Sequence, residues 1–254
     1  MRLRKWLLLA FALSLVVAAC GDDEGETTTT TAAETTTTTE ASGFELIEPG
    51  VLTIGSDVPY EPFEAFDDAG NVIGFDADLM NEIASRLGLE PRWVDTDFDT
   101  IFTQLAQGNF DVVASSVTYT EERAAMVGFS DGYYNTNQAF TVNTDETPGL
   151  RSTDELVSGD AVAVQTGTTG EIWANENLAP NGIVVRSFVQ PPDCFMELAN
   201  GGVVGTIIDM DPSYTAESDN ENLKVVEIIQ TGEVLAFGVN PAAPNLLAAV
   251  NEAF

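Results

Sequence analysis

Two stretches of this sequence place hydroxyls, glycine and charge where a strand gives way to a helix. The first is Ala114-Ser115-Ser116-Val117-Thr118-Tyr119-Thr120-Glu121-Glu122-Arg123. The apolar pair Val112-Val113 runs into hydroxyl side chains, Thr120 stands where a helix N-cap belongs, and Arg123 falls in the first turn. Free backbone N–H groups, hydroxyls and a guanidinium then converge, which suits a carboxylate. The plainer alternative is a capped helix whose Arg123 pairs with one of the many acids nearby. The second stretch is Val164-Gln165-Thr166-Gly167-Thr168-Thr169-Gly170-Glu171, again strand, glycine turn and helix start. Thr168 and Thr169 offer hydroxyl and amide donors to the same anion, and a simple capped turn explains them equally well. A phosphate loop is a poor alternative, because no Gly-Lys-Ser/Thr follows.

Composition removes whole classes of chemistry. The chain of 254 residues carries 9 Lys+Arg against 41 Asp+Glu, a formal net charge of -32. Such a polyanion repels phosphate backbones, so nucleic acid is excluded as a partner. Histidine is absent, so neither a Ser-His-Asp nor a Cys-His catalytic site can be built. With 44% hydrophobic residues there is apolar material for one large domain or two smaller ones.

The N-terminus reads as an export address. Arg2, Arg4 and Lys5 precede a 14-residue apolar run from Trp6 to Ala19, short for a bilayer span. It ends in Val17-Ala18-Ala19-Cys20, which resembles a bacterial lipobox. That resemblance implies cleavage after residue 19 and lipidation of Cys20, holding the protein on the outer face of the cell membrane. An ordinary signal peptide with an incidental cysteine is the alternative. Residues 20–43 hold two runs of five threonines and read as a flexible acidic tether. Only Cys194 then remains, so no intrachain disulfide forms; its apolar setting marks it as a small buried hydrophobe.

The folded part should begin near Phe44. Strands are expected over 51–55, 92–95, 111–115, 161–165, 184–188 and 203–208, with a turn at Asp67-Asp68-Ala69-Gly70-Asn71 between two extended pieces. Helices are expected over 76–87, where Leu79, Ile83, Ala84 and Leu87 share a face and Gly88 stops the run, and over 99–107, from Thr120 onward, and over 152–157, 169–178 and 191–200. Asp76 and Asp78 fall in a first helical turn, where acids cap and complement the dipole. Gln104 to Val113 parallels Glu197 to Thr206 as helix, glycine stop and buried strand, which suggests two related lobes. Alternating strands and helices imply two α/β lobes with mainly parallel sheets, and ligands sit beyond the carboxyl ends of such strands.

Gly74-Phe75-Asp76-Ala77-Asp78-Leu79 resembles a motif of the family 3 extracellular solute-binding proteins, the polar amino acid receptors of ATP-binding-cassette importers. The likeness continues through Asp57-Val58-Pro59-Tyr60-Glu61-Pro62-Phe63, Asp97-Phe98-Asp99, Thr118 to Arg123, Phe129 to Tyr134, Gly167-Thr168-Thr169 and Ile207-Ile208-Asp209, covering nearly everything from Phe44 on. It implies a two-lobed periplasmic-binding-protein-like α/β fold of type II, with a hinge and an interlobe cleft. The first lobe would be 44–136 plus 234–254 and the second 137–233. By the same resemblance Arg123, with Thr118 and the Ser115-Ser116 region, holds an amino acid's α-carboxylate, and Thr168 and Thr169 add donors from the second lobe. Asp209 takes the α-ammonium, Tyr60 and Phe98 sandwich the side chain, and Asp57 lies near its tip. Core packing is the alternative for the aromatics.

The resemblance implies a monomer without cofactor, metal or catalysis, which delivers its ligand to a membrane permease. The sequence departs from the family at Gly201-Gly202-Val203-Val204, where an aspartate usually follows the valine, and the family pattern runs on past Phe254 with further helix. A cyclohexadienyl-dehydratase-like enzyme and a ligand-sensing protein are the rival readings of the same scaffold. Outside the export address the basic residues are Arg86, Arg92, Arg123, Arg151, Arg186 and Lys224. Only Arg123 is expected at the cleft, so a polar or basic amino acid (glutamine, arginine or lysine type) is expected over glutamate or aspartate.

Overall fold

The computed structural model describes residues 43–254; the export signal, Cys20 and the tether lie outside the described residues. The chain runs β1 (Val51–Ser56), a hairpin of β2 (Ala65–Phe66) and β3 (Val72–Ile73), α1 (Phe75–Arg86), β4 (Glu90–Asp95), α2 (Phe98–Ala106), β5 (Val112–Val113), the single turn α3 (Glu121–Ala124) and β6 (Gly128–Phe129). It continues with β7 (Tyr134–Asn143), β8 (Ala161–Gln165), α4 (Thr169–Asn177), β9 (Val184–Phe188), α5 (Pro191–Ala199), β10 (Gly205–Asp209), α6 (Met210–Asp219), β11 (Leu223–Leu235), β12 (Gly238–Val239) and α7 (Pro244–Ala253).

Two five-stranded sheets result, in the orders β4-β1-β5-β12-β6 and β11-β7-β10-β8-β9. In the first, β1 pairs in parallel with β4 and β5, whereas β12 runs antiparallel to β5 and β6. In the second, β8 pairs in parallel with β9 and β10, whereas β7 runs antiparallel to β10 and β11. The sheets are therefore mixed, a correction to the mainly parallel expectation. Strand direction is set by how a segment returns to its sheet, which alternation of strands and helices does not encode.

Apolar periodicity explains which faces are covered. Helix α1 buries Ala77, Met80, Ile83 and Ala84 against Leu52, Ile54, Val112, Phe237 and Val239, and α7 adds Leu246 and Val250 to the same core. Leu79 and Leu87, expected on the inner face of α1, are only partly buried. The chain leaves α1 through Gly88, which takes the left-handed conformation at φ 69°. A second core joins Phe140, Val142, Val162, Val164, Ala174 and Ile207 between the other sheet and α4. The expected strand over 111–115 contracts to Val112–Val113, and the expected helix over 152–157 contracts to one 3-10 turn, Thr153–Glu155.

The strands β7 and β11 tie the two sheets together. They pair from Leu223↔Asn143 to Leu235↔Tyr134, and the far end of β11 reaches the first sheet's connections. There Tyr119 N–H donates to the Val234 carbonyl at 2.9 Å and Ala236 N–H to the Val117 carbonyl at 2.9 Å. The internal echo also has a physical outcome. Asp111 closes the first sheet's turn by accepting the N–H groups of Ile47 and Thr53, each at 2.8 Å, whereas Val204 at the equivalent point makes no such bridge.

Candidate functional site

Strands of both sheets deliver their carboxyl ends to one cavity. Asp57 follows β1, Ser115, Ser116 and Thr118 follow β5, Gln165 ends β8 and Asp209 ends β10. Tyr60, Phe98, Arg123, Thr168 and Thr169 complete the wall, so all ten residues singled out in the sequence line it, joined by Gln138, Gln165 and Ile208.

Arg123 enters from the one-turn α3. Thr120 caps that turn by accepting the Arg123 N–H at 3.1 Å. The guanidinium donates to the Thr118 carbonyl at 2.8 Å and, across the cavity, to the Gly167 carbonyl at 3.1 Å. Its carbon lies 4.7 Å from the Phe102 ring centre and 5.3 Å from that of Phe98. No carboxylate pairs with it among the described residues, so the plain ion-pair alternative is not what the structure adopts.

Asp57 is a junction between the two sheets. Its carboxylate accepts the Phe98 N–H at 3.3 Å, the Gln165 amide at 2.6 Å and the Gln190 amide at 2.9 Å. Asp209 accepts from the Gln138 amide. Tyr60 and Phe98 both line the cavity, but each is already packed: Tyr60 on Phe63 at 6.5 Å, Phe98 edge-on to Phe102 at 5.7 Å.

One reading needs correction. Asp76 stands in the first turn of α1, as expected, but is no helix cap: the N-cap is Gly74, and no side chain caps the helix. The Asp76 carboxylate, 0% exposed, instead accepts the Ser116 N–H at 2.9 Å and the Tyr133 hydroxyl at 2.8 Å. This holds Ser116 at φ 49°, a left-handed conformation that costs a non-glycine residue energy and needs such support. The threonine hydroxyls spend their protons within the protein. Thr168 donates to the Gln165 carbonyl at 2.8 Å, Thr118 to Glu233 at 2.6 Å and Thr169 to Glu233 at 2.7 Å. Thr168 is the N-cap of α4, accepting the Glu171 N–H at 3.2 Å. Arg151 precedes the 3-10 turn Thr153–Glu155, as expected; it is exposed and donates to the carbonyls of Leu150 and Pro148.

A sequence profile for bacterial extracellular solute-binding proteins, family 3, matches residues 52–254. This chain belongs to that family. This solute-binding protein is 32% identical over 211 residues to a probable histidine-binding protein of Neisseria gonorrhoeae, covering 82% of this chain and 72% of that one. It is 32% identical to the histidine-binding periplasmic protein of Escherichia coli over 61% of this chain, and it spans only 59% of that relative. Among solved structures, an arginine-bound, truncated arginine-binding protein from T. maritima superposes with a TM-score of 0.75 at 34% identity, covering 80% of this chain and 94% of that one. An ancestral amino acid-binding protein described as a precursor of cyclohexadienyl dehydratase superposes with a TM-score of 0.72 at 34% identity, over 80% and 88% of the two chains.

The cavity of this solute-binding protein is acidic. Burial raises Asp57 to about 6 and Asp209 to about 7, in the latter case with help from the nearby Glu233 charge. Behind Ser115 and Ser116 lies Glu64, 0% exposed, whose carboxyl is pushed well above the usual range by burial and by the Asp76 charge. Burial lowers Arg123 to about 10, which leaves it cationic at neutral pH. Cys194 is buried and raised to about 12, so it packs as a hydrophobe and stays a thiol. Among the described residues, Arg86 is engaged with Glu82, Arg92 with Glu48, Arg186 with Glu197 and Lys224 with Glu217, away from the cavity.

Sequence reasoning missed Glu64, Gln138, Gln165, Gln190 and Glu233. Gln165 stands in a quoted motif beside Gly167 and was findable. Gln138 and Glu233 lie inside long strands with no glycine-turn-helix punctuation, and their partners are remote in sequence.

Proposed function

We propose that this protein binds a polar or basic L-amino acid between two lobes, 44–136 plus 234–254 and 137–233, and delivers it to the permease of an ATP-binding-cassette importer. The observation that carries the reading is the charge distribution of the cavity: Arg123 is the one cation among its lining residues, opposed by Asp57 and Asp209. A zwitterion matches this pair of signs. Its carboxylate pairs with the Arg123 fork, and its α-ammonium pairs with Asp209. A second positive group at the side-chain tip meets Asp57, whereas a second carboxylate would be buried without a cation. The names of the histidine- and arginine-binding relatives support the same ligand class.

Contacts that bridge the two sheets, from Asp57 to Gln165 and Gln190 and from Arg123 to Gly167, support closure around the ligand. Anchoring by lipid at Cys20 belongs to the same reading and would place the receptor beside its permease. A thermal-shift screen of the common amino acids tests the function: stabilisation by arginine, lysine, histidine or glutamine is expected, and no response to any amino acid would overturn it. Likeness to the dehydratase precursor supports a second reading, in which Asp57 and Asp209, raised by burial, act as acids; release of product from prephenate or arogenate would establish that one instead.

A further inference from the structure

We propose that Glu233 is a positioning residue that turns the Thr118 and Thr169 hydroxyls into acceptors for the ligand's α-ammonium; the proposal rests on the amino acid-binding reading above. Glu233 stands on β11 at a break in register, where the pairing jumps from Ile229↔Gln138 to Glu233↔Thr136. Gly232, at φ 65°, makes the break possible. The bulge is fastened on both sides: Asn137 Oδ1 accepts the Gly232 N–H at 2.9 Å, and Thr231 Oγ1 accepts the Gln138 N–H at 3.2 Å. A bulge of this kind redirects the following side chain. Here it directs a carboxylate, 8% exposed, to the junction of the two sheets.

That carboxylate collects three protons. Its Oε2 accepts the hydroxyls of Thr118 at 2.6 Å and Thr169 at 2.7 Å, and its Oε1 accepts the Gln138 amide at 2.9 Å. The same amide nitrogen donates to Asp209, so one side chain joins the two carboxylates. A hydroxyl has a single proton and two lone pairs. With both protons committed to Glu233, and one Thr169 lone pair taken by the Gln138 amide at 3.4 Å, Thr118 and Thr169 have only lone pairs left for the cavity they line, next to Asp209. The wall around Asp209 therefore becomes a set of acceptors, which matches the three donors of an ammonium. The carboxylate of the ligand is left to the Arg123 guanidinium and to the free N–H groups opening α4. Because Thr118 follows β5 and Thr169 opens α4, Glu233 also clasps the two sheets whenever both bonds are made.

The test compares L-arginine with δ-guanidinovalerate, which keeps the carboxylate and guanidinium and lacks the α-ammonium. Glu233→Gln keeps the shape of the side chain and offers N–H where the native residue only accepts. Calorimetry should show arginine weakened on the order of tenfold and guanidinovalerate held within about twofold. Thr169→Val should cost arginine less in the Glu233→Gln background than in the native protein, because the two residues act through one bond. Should Glu233→Gln fail to fold, as judged by its ligand-free melting curve, the Thr118→Val and Thr169→Val variants carry the same ligand comparison. Equal losses for both ligands, or none, overturn the proposal while leaving amino acid binding intact. If the native protein binds neither arginine nor any other common amino acid, both readings fall together.

Discussion

Replacing Arg123 by alanine removes the cation on which the ligand assignment turns. Arg123 is 7% exposed, and its guanidinium spends one N–H on the Thr118 carbonyl and one on the Gly167 carbonyl. A guanidinium has five N–H donors, so three remain for an anion. The rings of Phe98 and Phe102 exclude water from one face. Breaking a charged, hydrogen-bonded pair in such a desolvated site costs about 2–5 kcal/mol. At about 1.4 kcal/mol per decade, Arg123→Ala should weaken arginine roughly thirty-fold to several-thousand-fold. Arg123→Lys keeps the charge but not the fork, and should recover only part of the loss. Isothermal calorimetry on ligand-stripped protein measures this directly. A folded Arg123→Ala variant with native affinity would refute the reasoning, since no other cation lines the cavity to take over.

Asp209→Asn should weaken arginine far more than δ-guanidinovalerate, and equal losses in calorimetry would assign Asp209 another task. Asp57→Asn should lower the arginine-to-glutamine affinity ratio on the order of tenfold, because a charged hydrogen bond is lost only for the cationic side chain; an unchanged ratio would remove Asp57 from the side-chain pocket. Affinity for arginine should fall as pH drops through about 7 and about 6, where Asp209 and Asp57 take up protons and stop attracting cations, and a flat profile from pH 8 to 5 would contradict this. The ligand-free protein should respond oppositely: both carboxyls are raised on folding, so their stabilising contribution is full at acid pH and is lost as pH rises through about 6 and about 7. Melting curves should therefore show the shift produced by arginine growing from pH 5 to pH 8.

Local signals made much of this legible. Ala161–Gln165 and Val184–Phe188 are strands to the residue, because continuous apolar runs between turns leave little choice of boundary. The strand-to-helix junctions at Thr118 and Thr168 marked the cavity wall because the carboxyl ends of neighbouring parallel strands converge. What stayed hidden depends on partners far along the chain. Asp76 reads as a first-turn acid until Ser116 and Tyr133 are seen to surround it. Glu233 carries no local signal, and the break in register at Gly232 is what turns it inward. Thr118 and Thr169 look like donors to an anion in any local reading, and only Glu233 reverses their polarity. The antiparallel returns of β7, β11 and β12 likewise have no local signature.

The central claim is that a zwitterion with a neutral or cationic side chain fills the acidic cavity. Protein unfolded and refolded to remove bound ligand, then titrated in a calorimeter with arginine, lysine, histidine, glutamine, glutamate and aspartate, tests it most directly. The account predicts that at least one of the first four binds more tightly than both acidic amino acids. Glutamate or aspartate binding more tightly than all four would contradict it.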